Sequence, residues 1–277
     1  MMRTLCLMAA LAAVASTAAA QSIQLAPLEN VQAPADNQEG EVVWLPNYHF
    51  HLNMAHLSSD DPRYVWDANY GGEFGIVAVG RTQLTFVANY QAGLGEEFHP
   101  FDPNQGNYTL DGVLSTRVKG FYVAAVFHHL SRHLADRAKR PPVDWNMFGG
   151  RAGAMFKKND TDIDARVDLL GTILKTNVDY NWELHAGVRV HRRVYGTFGL
   201  MGAATLREVG TNGLANRGNQ TGGRGEGGIR VSGKAATVEL YLAIERVIDP
   251  YPTPLFNSIT YANTATFASV GMRLLTR

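Results

Sequence analysis

The sequence is poor in four features, and each shortage excludes a class of structure. The only cysteine among 277 residues is Cys6, which lies in a predicted signal segment, so the mature chain lacks disulfides, a thiol nucleophile and cysteine-based metal sites. No stretch approaches the ~20 uninterrupted apolar residues of a transmembrane helix. No segment shows a convincing helical period. The 25 basic and 25 acidic residues balance, so the chain has neither a nucleic-acid footprint nor a polybasic membrane tether.

The N-terminus has the layout of an export signal. Met1–Arg3 supplies a short positive region, and Leu5–Ala15 supplies an apolar run that is too short to cross a membrane. Ser16–Ala20 ends in the small-x-small pattern that signal peptidase cleaves. We therefore predict that residues 1–20 are a signal peptide and that Gln21 begins the mature chain.

The rest of the chain divides into two parts. Residues 21–46 are polar and contain proline without any periodicity, which predicts a periplasmic tail or linker. Residues 47–277 alternate between apolar and polar positions, and Thr82–Leu94 and Val178–Val190 are the clearest examples. Successive side chains of a strand point to opposite faces of its sheet. This part is therefore predicted to consist of strands with one apolar face.

Twelve alternating segments can be counted, and most are too long for a soluble sandwich, whose strands average ~5–6 residues. They suit strands tilted across a bilayer, which need ~9–11 residues. The predicted segments are 48–57, 64–79, 82–94, 107–118, 121–133, 143–156, 161–173, 178–190, 194–207, 223–232, 235–246 and 264–275.

The connections between these segments alternate in length. Long polar ones include Gly95–Gly106, Glu208–Gly222 and Val247–Asn263, and only the connection after the seventh segment breaks the alternation by being short. Such alternation is typical of outer-membrane barrels, which have tight periplasmic turns and longer outer loops. We predict an all-β, transmembrane antiparallel barrel of about 12 strands in the bacterial outer membrane. The predicted tight turns are Gly80-Arg81, Lys119-Gly120, Lys157–Asp160, His191–Arg193 and Gly233-Lys234.

The polar positions assigned to the barrel interior carry both signs of charge. A twelve-stranded barrel has a narrow lumen, so long side chains of alternating sign can fill it as a paired network. This arrangement is favoured over a solute path, which stays the alternative. The residues are Asp67, Glu73, Asp111, Arg117, Arg151, Asp164, Arg166, Asp168, Glu183, Arg189, Arg224, Glu226, Arg230, Glu239, Glu245 and Arg273.

One strand acquires chemistry at its outer end. The segment 121–133 is apolar until His129, Ser131 and His133, which share a parity that is assigned to the lipid-facing side. Residues two apart on a strand lie ~6.6 Å apart, so a histidine and a serine at this spacing can lean together. If this segment pairs antiparallel with the next one, the residue numbers of any two paired positions add up to about 275–277. This register places Asn146 across from Ser131 or His129 on the same face.

These three residue types can form a serine-hydrolase site. His129 can take the Ser131 proton while Asn146 accepts from the other ring nitrogen and fixes the histidine tautomer. An amide brings no charge into the low-dielectric lipid belt, unlike an aspartate. A histidine metal site is disfavoured, because His129 and His133 lie ~13 Å apart along an extended strand.

The sequence resembles the outer-membrane phospholipase A family in three features: an outward-facing His-x-Ser on one strand, Trp145-Asn146 on the next strand, and a twelve-stranded barrel. The resemblance implies Ser131 as nucleophile, His129 as base and Asn146 as orienting residue. It also implies calcium as an aid to the oxyanion, although no calcium ligand is assigned. Membrane lipids and the outer-membrane assembly machinery are the implied partners, and a homodimer stays open.

The motif covers only about residues 128–148, and it departs from that family by having Arg132-His133 where the family has Asn-Gly. The phrase His129-Leu-Ser-Arg-His-Leu-Ala-Asp136 is also similar to uncharacterised outer-membrane barrel families with a His-x-Ser-x-His-Leu-x-Asp signature. Two hypotheses follow. The barrel is a lipid acyl-ester hydrolase, or these residues are ordinary rim side chains of a non-catalytic barrel that is a small channel or a structural protein.

Overall fold

The fold was analysed in a computed structural model, which describes residues 34, 38–134, 143–214, 217–250 and 264–276. Within these residues the chain forms a single antiparallel sheet of 13 strands. None of the described residues belongs to a helix with the length and apolarity that a membrane crossing requires. The predicted signal peptide lies outside the described residues.

Twelve long strands follow one short one. The strands are β1 (Val42–Trp44), β2 (Tyr48–Leu57), β3 (Trp66–Val79), β4 (Thr82–Gly95), β5 (Asp102–Val118), β6 (Phe121–Leu134), β7 (Val143–Lys158), β8 (Thr161–Thr176), β9 (Tyr180–Tyr195), β10 (Phe198–Thr211), β11 (Gln220–Ser232), β12 (Ala236–Ile248) and β13 (Thr264–Thr276).

The strands β2 to β13 close into a barrel. Each pairs antiparallel with the next along the chain, and β13 pairs with β2, where Ser269–Leu275 runs opposite His51–Leu57. Closure leaves no open sheet edge, which is what strands need where no water is available to pair backbone groups. The predicted twelve-stranded antiparallel barrel is confirmed.

The β9–β10 turn lies farther along the chain than predicted. The β9–β10 turn was predicted at His191–Arg193, but His191 is still paired with Asp162 on β8, and the turn falls at Gly196-Thr197. Gly196 has a φ of +54°, a left-handed conformation that glycine adopts without steric cost. The glycine therefore marks the turn more reliably than the preceding charges.

Other strands begin inside segments that were predicted to be a loop or the tail, among them β11 at Gln220 within Glu208–Gly222. β5 starts at Asp102, inside the segment Gly95–Gly106 that was predicted to be a loop. β1 lies within the segment 21–46 that was predicted to be a tail, and it pairs with β3 at Val77–Val79, beyond the end of β2. Two valines and a tryptophan suit a strand, and their backbone covers an edge of β3 that β2 leaves unpaired.

The outer surface of the barrel is apolar along the middle of the strands. Exposed side chains there include Leu84, Leu110, Leu114, Phe127, Phe148, Val167, Leu169, Leu206, Leu240, Leu242, Val270 and Met272. Exposed aromatic residues flank this band near the tight turns: Trp44, Tyr48, Phe50, Phe121, Phe156, Tyr195 and Phe198. An apolar band with aromatic girdles on a closed barrel is the surface of an outer-membrane protein. The chain is an outer-membrane β-barrel.

The interior contains paired charges of both signs, in line with the predicted network. Glu239 is fully buried and accepts hydrogen bonds from Arg189, Arg230 and Arg273. Nearer the middle of the barrel, Arg151 makes a two-pronged contact with Asp168, with both nitrogen–oxygen distances at 2.8 Å. These buried pairs lie at more than one level of the interior.

Candidate active site

The hairpin of β6 and β7 brings His129 and Asn146 together. The two residues are directly paired across the strands, and Asn146 Oδ1 lies 2.9 Å from His129 Nδ1. The predicted position sum near 275 placed Asn146 opposite His129 or Ser131, and the structure selects His129. With Nδ1–H donating to the amide oxygen, Nε2 carries the ring's lone pair.

Ser131 lies on the same outer face, two residues beyond His129 toward the external end of β6. Its side chain is half-buried, and its cross-strand neighbours are Tyr108 on β5 and Asp144 on β7. Among the described residues no hydrogen bond joins Ser131 Oγ to the His129 ring. Catalytic hydrogen bonds are often long or misaligned before substrate binds, and a rotamer change of either side chain alters this separation.

An aromatic row adjoins the serine on the outer face. The Tyr70 and Tyr90 ring centroids are 5.2 Å apart, and those of Tyr90 and Tyr108 are 4.8 Å apart. The row ends at His133, whose ring meets Tyr108 edge-on at 5.5 Å. Aromatic side chains of this kind sit at the boundary between hydrocarbon and headgroups. They place Ser131 near the external lipid interface.

The inner face of the same hairpin is tightly packed. Leu130 and Trp145 are paired across the strands and almost fully buried, and they pack with Val126 and Met147 inside the barrel. Side chains that are held on the inside fix the backbone that presents the outer residues. The hairpin therefore offers a rigid platform for His129 and its neighbours.

A second cluster clamps the external mouth of the barrel behind the hairpin. Arg217 joins Asp179 and Asp249, with Nη2 at 2.6 Å and 2.7 Å from one oxygen of each. Burial lowers the pKa of the Arg217 guanidinium, but the hydrogen bonds to the two carboxylates outweigh it and raise the pKa above its ordinary value. Arg132 Nη1 donates to the Asp249 carbonyl at 2.6 Å, which ties β6 to the same cluster.

The calcium that the resemblance implied was tested against the residues present. Among the described residues no three histidine, cysteine, aspartate or glutamate side chains are grouped so as to hold a metal ion. Asp144 is the single carboxylate directly across from Ser131, and Asp136 lies outside the described residues. One carboxylate does not by itself supply the roughly 6–8 oxygen ligands that calcium takes, and no step of a mechanism is assigned to that ion.

The sequence prediction placed three residues correctly on one face but overlooked two neighbours of the serine. The pairing sum of 275 that aligns Asn146 with His129 also aligns Asp144 with Ser131. Tyr108 on the preceding strand pairs with Ser131 from the other side. Both neighbours were available from the sequence: the first from that sum, and the second from the predicted Lys119-Gly120 turn, around which Tyr108 and Ser131 pair.

No protein-family model matches the chain, and no curated protein matches it in sequence. Solved structures do match its shape. Outer membrane phospholipase A from Escherichia coli is 14% identical with a TM-score of 0.49, covering 84% of this chain and 98% of its own. The outer membrane phospholipase dimer of Salmonella typhi with bound calcium is 14% identical with a TM-score of 0.48, covering 84% and 91%. LpxR from Salmonella typhimurium is 8% identical with a TM-score of 0.47, covering 82% and 99%.

Proposed function

We propose that this outer-membrane barrel hydrolyses acyl esters of membrane lipids, with Ser131 as nucleophile, His129 as general base and Asn146 as orienting residue. One observation carries the proposal: the 2.9 Å contact between His129 Nδ1 and Asn146 Oδ1 on the lipid-facing side, with Ser131 next along the same face. An amide that fixes one ring nitrogen directs the other nitrogen to act as a base.

The reaction proceeds in two balanced halves. His129 Nε2 takes the Ser131 proton as Oγ attacks the ester carbonyl, and the imidazolium then returns that proton to the departing alcohol. The acyl group is left on Ser131. In the second half, water gives a proton to His129 and attacks the acyl-serine, and the proton passes back to Oγ as the fatty acid leaves. Asn146 holds the ring throughout by accepting from Nδ1–H.

The position of the site favours lipids as its substrates. The residues face away from the lumen and lie near the external end of β6, level with the tyrosine row. Ester groups of membrane lipids lie just inside the headgroups, at the depth where aromatic girdles sit. A lipid therefore reaches Ser131 from within the external leaflet, without entering the lumen.

Replacing the nucleophile tests the proposal. Ser131→Ala in detergent-solubilised protein should reduce phospholipid hydrolysis by at least about 10³-fold, because no acyl-serine can form. The same change should abolish labelling by a fluorophosphonate probe. Thr266→Ala, at an exposed outward position on β13, is the matched control and should retain both properties. Equal turnover in wild type and Ser131→Ala would refute the assignment.

The second candidate is a non-catalytic structural barrel, and the absence of a Ser131–His129 hydrogen bond among the described residues favours it. It predicts no fluorophosphonate labelling and no hydrolysis in wild-type protein. The paired charges inside the barrel oppose the channel version of this hypothesis, because they occupy the path of a solute. Planar-bilayer recordings without discrete conductance steps would agree with a lumen occupied by these charges.

A further inference from the structure

A row of side chains crosses the outer wall of the barrel at the end opposite to the proposed active site. Lys158 on β7 pairs with Thr161 on β8, Thr161 pairs with Arg192 on β9, and Arg192 pairs with Leu200 on β10. Neighbouring strands lie about 4.8 Å apart, so the Lys158 and Arg192 backbones are about 10 Å apart. Two long side chains at that separation can reach one anion.

The row borders a groove of about 710 Å³ on the outer wall. One part of its lining is apolar and is formed by Ile163, Val194 and Leu200. The other part carries the exposed side chains of the two rim cations, Lys158 and Arg192. The groove is therefore amphipathic: beside the two cations, Leu200 is level with Arg192, Ile163 lies two residues nearer the membrane centre than Thr161, and Val194 lies nearer the β9–β10 turn.

The two rim cations carry unneutralised charge. Arg193 is bonded to Asp160, and Lys157 lies 3.5 Å from Asp162, so these neighbours neutralise one another. Lys158 and Arg192 make no ion pair or hydrogen bond with any described side chain, although both are exposed. The rim thus has an excess of two positive charges and two unused sets of donors.

The depth of the groove matches the headgroups of the inner leaflet. Tight turns lie on the periplasmic side of outer-membrane barrels, and the groove lies beside the β7–β8 and β9–β10 turns. The exposed aromatic residues Phe156, Tyr195 and Phe198 flank it. Girdle residues mark the interface between hydrocarbon and headgroups, so the rim cations lie where lipid phosphates lie.

We propose that this groove is a binding site for an anionic glycerophospholipid of the periplasmic leaflet. The lipid phosphate lies between Lys158 and Arg192, and one acyl chain runs over Leu200 and Ile163 toward the membrane centre. Charge complementarity selects an anionic headgroup over a zwitterionic one, because a positive headgroup amine is repelled by two uncompensated cations. The site is separate from Ser131 and does not depend on the proposed hydrolysis.

Native mass spectrometry of the full-length protein in detergent tests the site with ether-linked phosphatidylglycerol, which has no acyl ester that the proposed activity could hydrolyse. Wild type should bind it more tightly than ether-linked phosphatidylcholine. Lys158→Gln combined with Arg192→Gln should weaken phosphatidylglycerol binding about thirtyfold, roughly fivefold for each cation removed. Each single variant should weaken phosphatidylglycerol binding about fivefold. The single variants therefore test the site even if the double variant does not fold.

The matched control removes two exposed lysines from other tight turns, by Lys119→Gln combined with Lys234→Gln. This variant should keep wild-type affinity, and an equal loss there would show only a general effect of net charge. Undiminished binding in the Lys158 and Arg192 variants would overturn the site. If inorganic phosphate bound as tightly as the lipid, the groove would be a phosphate site and the lipid proposal would be wrong.

Discussion

Two adjacent histidines on β6 have opposite surroundings. His128 points into the barrel, is buried, and has its Nδ1 2.7 Å from a carboxylate oxygen of Asp111. His129 points to the lipid side and has its Nδ1 2.9 Å from the amide oxygen of Asn146. The geometry of the two contacts is nearly the same, but only the inner partner carries a charge.

The difference shows where this barrel can hold charge. Inside, the Asp111 carboxylate lines a small cavity with Glu73 and Asp168 and with the cations Arg151 and Arg166, so the inner charges of both signs lie together. Outside, a carboxylate at the position of Asn146 would face hydrocarbon, whereas a neutral amide hydrogen-bonds there without that cost. Inner pairs are therefore expected to stabilise the fold, and the outer pair is expected to serve chemistry.

Removing Glu239 from the inner network should lower the free energy of unfolding more than any other proposed change. Glu239→Ala removes an acceptor that Arg189, Arg230 and Arg273 all share, although Arg189 and Arg273 keep Glu226, and should lower the free energy of unfolding by about 3–5 kcal/mol. Guanidinium titration in detergent micelles, followed by tryptophan fluorescence, measures it. Glu96→Ala, at an exposed position, should change stability by less than about 0.5 kcal/mol. A Glu239 variant as stable as wild type would contradict the structural role of the inner charges.

The outer pair should respond in activity instead. Asn146→Ala removes the acceptor that holds His129, and phospholipid turnover should fall about 10²-fold. The unfolding midpoint should barely move, because the amide is half-buried on the lipid face. His56→Ala removes an exposed outward histidine on β2 and should leave turnover unchanged. If Asn146→Ala lost stability but kept its turnover, the outer pair would be structural, and the expectation that it serves chemistry would be wrong.

The inner histidine pair should behave in the opposite way. Asp111→Ala leaves buried His128 without its partner, and should cost about 1–3 kcal/mol of unfolding free energy. Phospholipid turnover should stay close to wild type, since Asp111 lies on the far side of the barrel wall from Ser131. Measuring both quantities in the same preparations as Asn146→Ala completes the comparison, and a hundredfold loss of turnover here would undermine it.

An exposed ion pair should have the smallest effect on the free energy of unfolding. Lys157 lies 3.5 Å from Asp162 at the periplasmic rim, and the side chains are 78% and 56% exposed. Lys157→Ala should change the free energy of unfolding by at most about 1 kcal/mol, because water screens the pair. Chemical denaturation at low and high salt measures the difference. A loss comparable to that of Glu239→Ala would mean that burial does not govern the value of these pairs.

The barrel itself was predictable because its alternation is long and repeated. Segments such as Thr82–Leu94 alternate over a full membrane crossing, so small boundary errors do not change the face assignments. The outward direction of His129, Ser131 and Asn146 followed from the same parity, and the hairpin sum supplied their pairing. Their catalytic roles stay a proposal.

Other features could not be read from the alternation. The β9–β10 turn was misplaced because charged residues near His191 resemble a loop, although backbone pairing continues through them. β1 was missed because three residues are too few to establish a period of two. The side-chain orientation of Ser131 depends on rotamers and neighbours such as Tyr108, which a parity pattern does not specify.

The junction of β13 with β2 sets the order in which the cylinder can form. His51 and Leu275 face each other there although more than two hundred residues separate them along the chain, whereas every other barrel pairing joins consecutive strands. Hairpins form between neighbouring strands, but this junction closes a loop of more than two hundred residues. It therefore has the largest loss of chain entropy on closure. We therefore expect this junction to form last when the barrel assembles and to separate first when it opens.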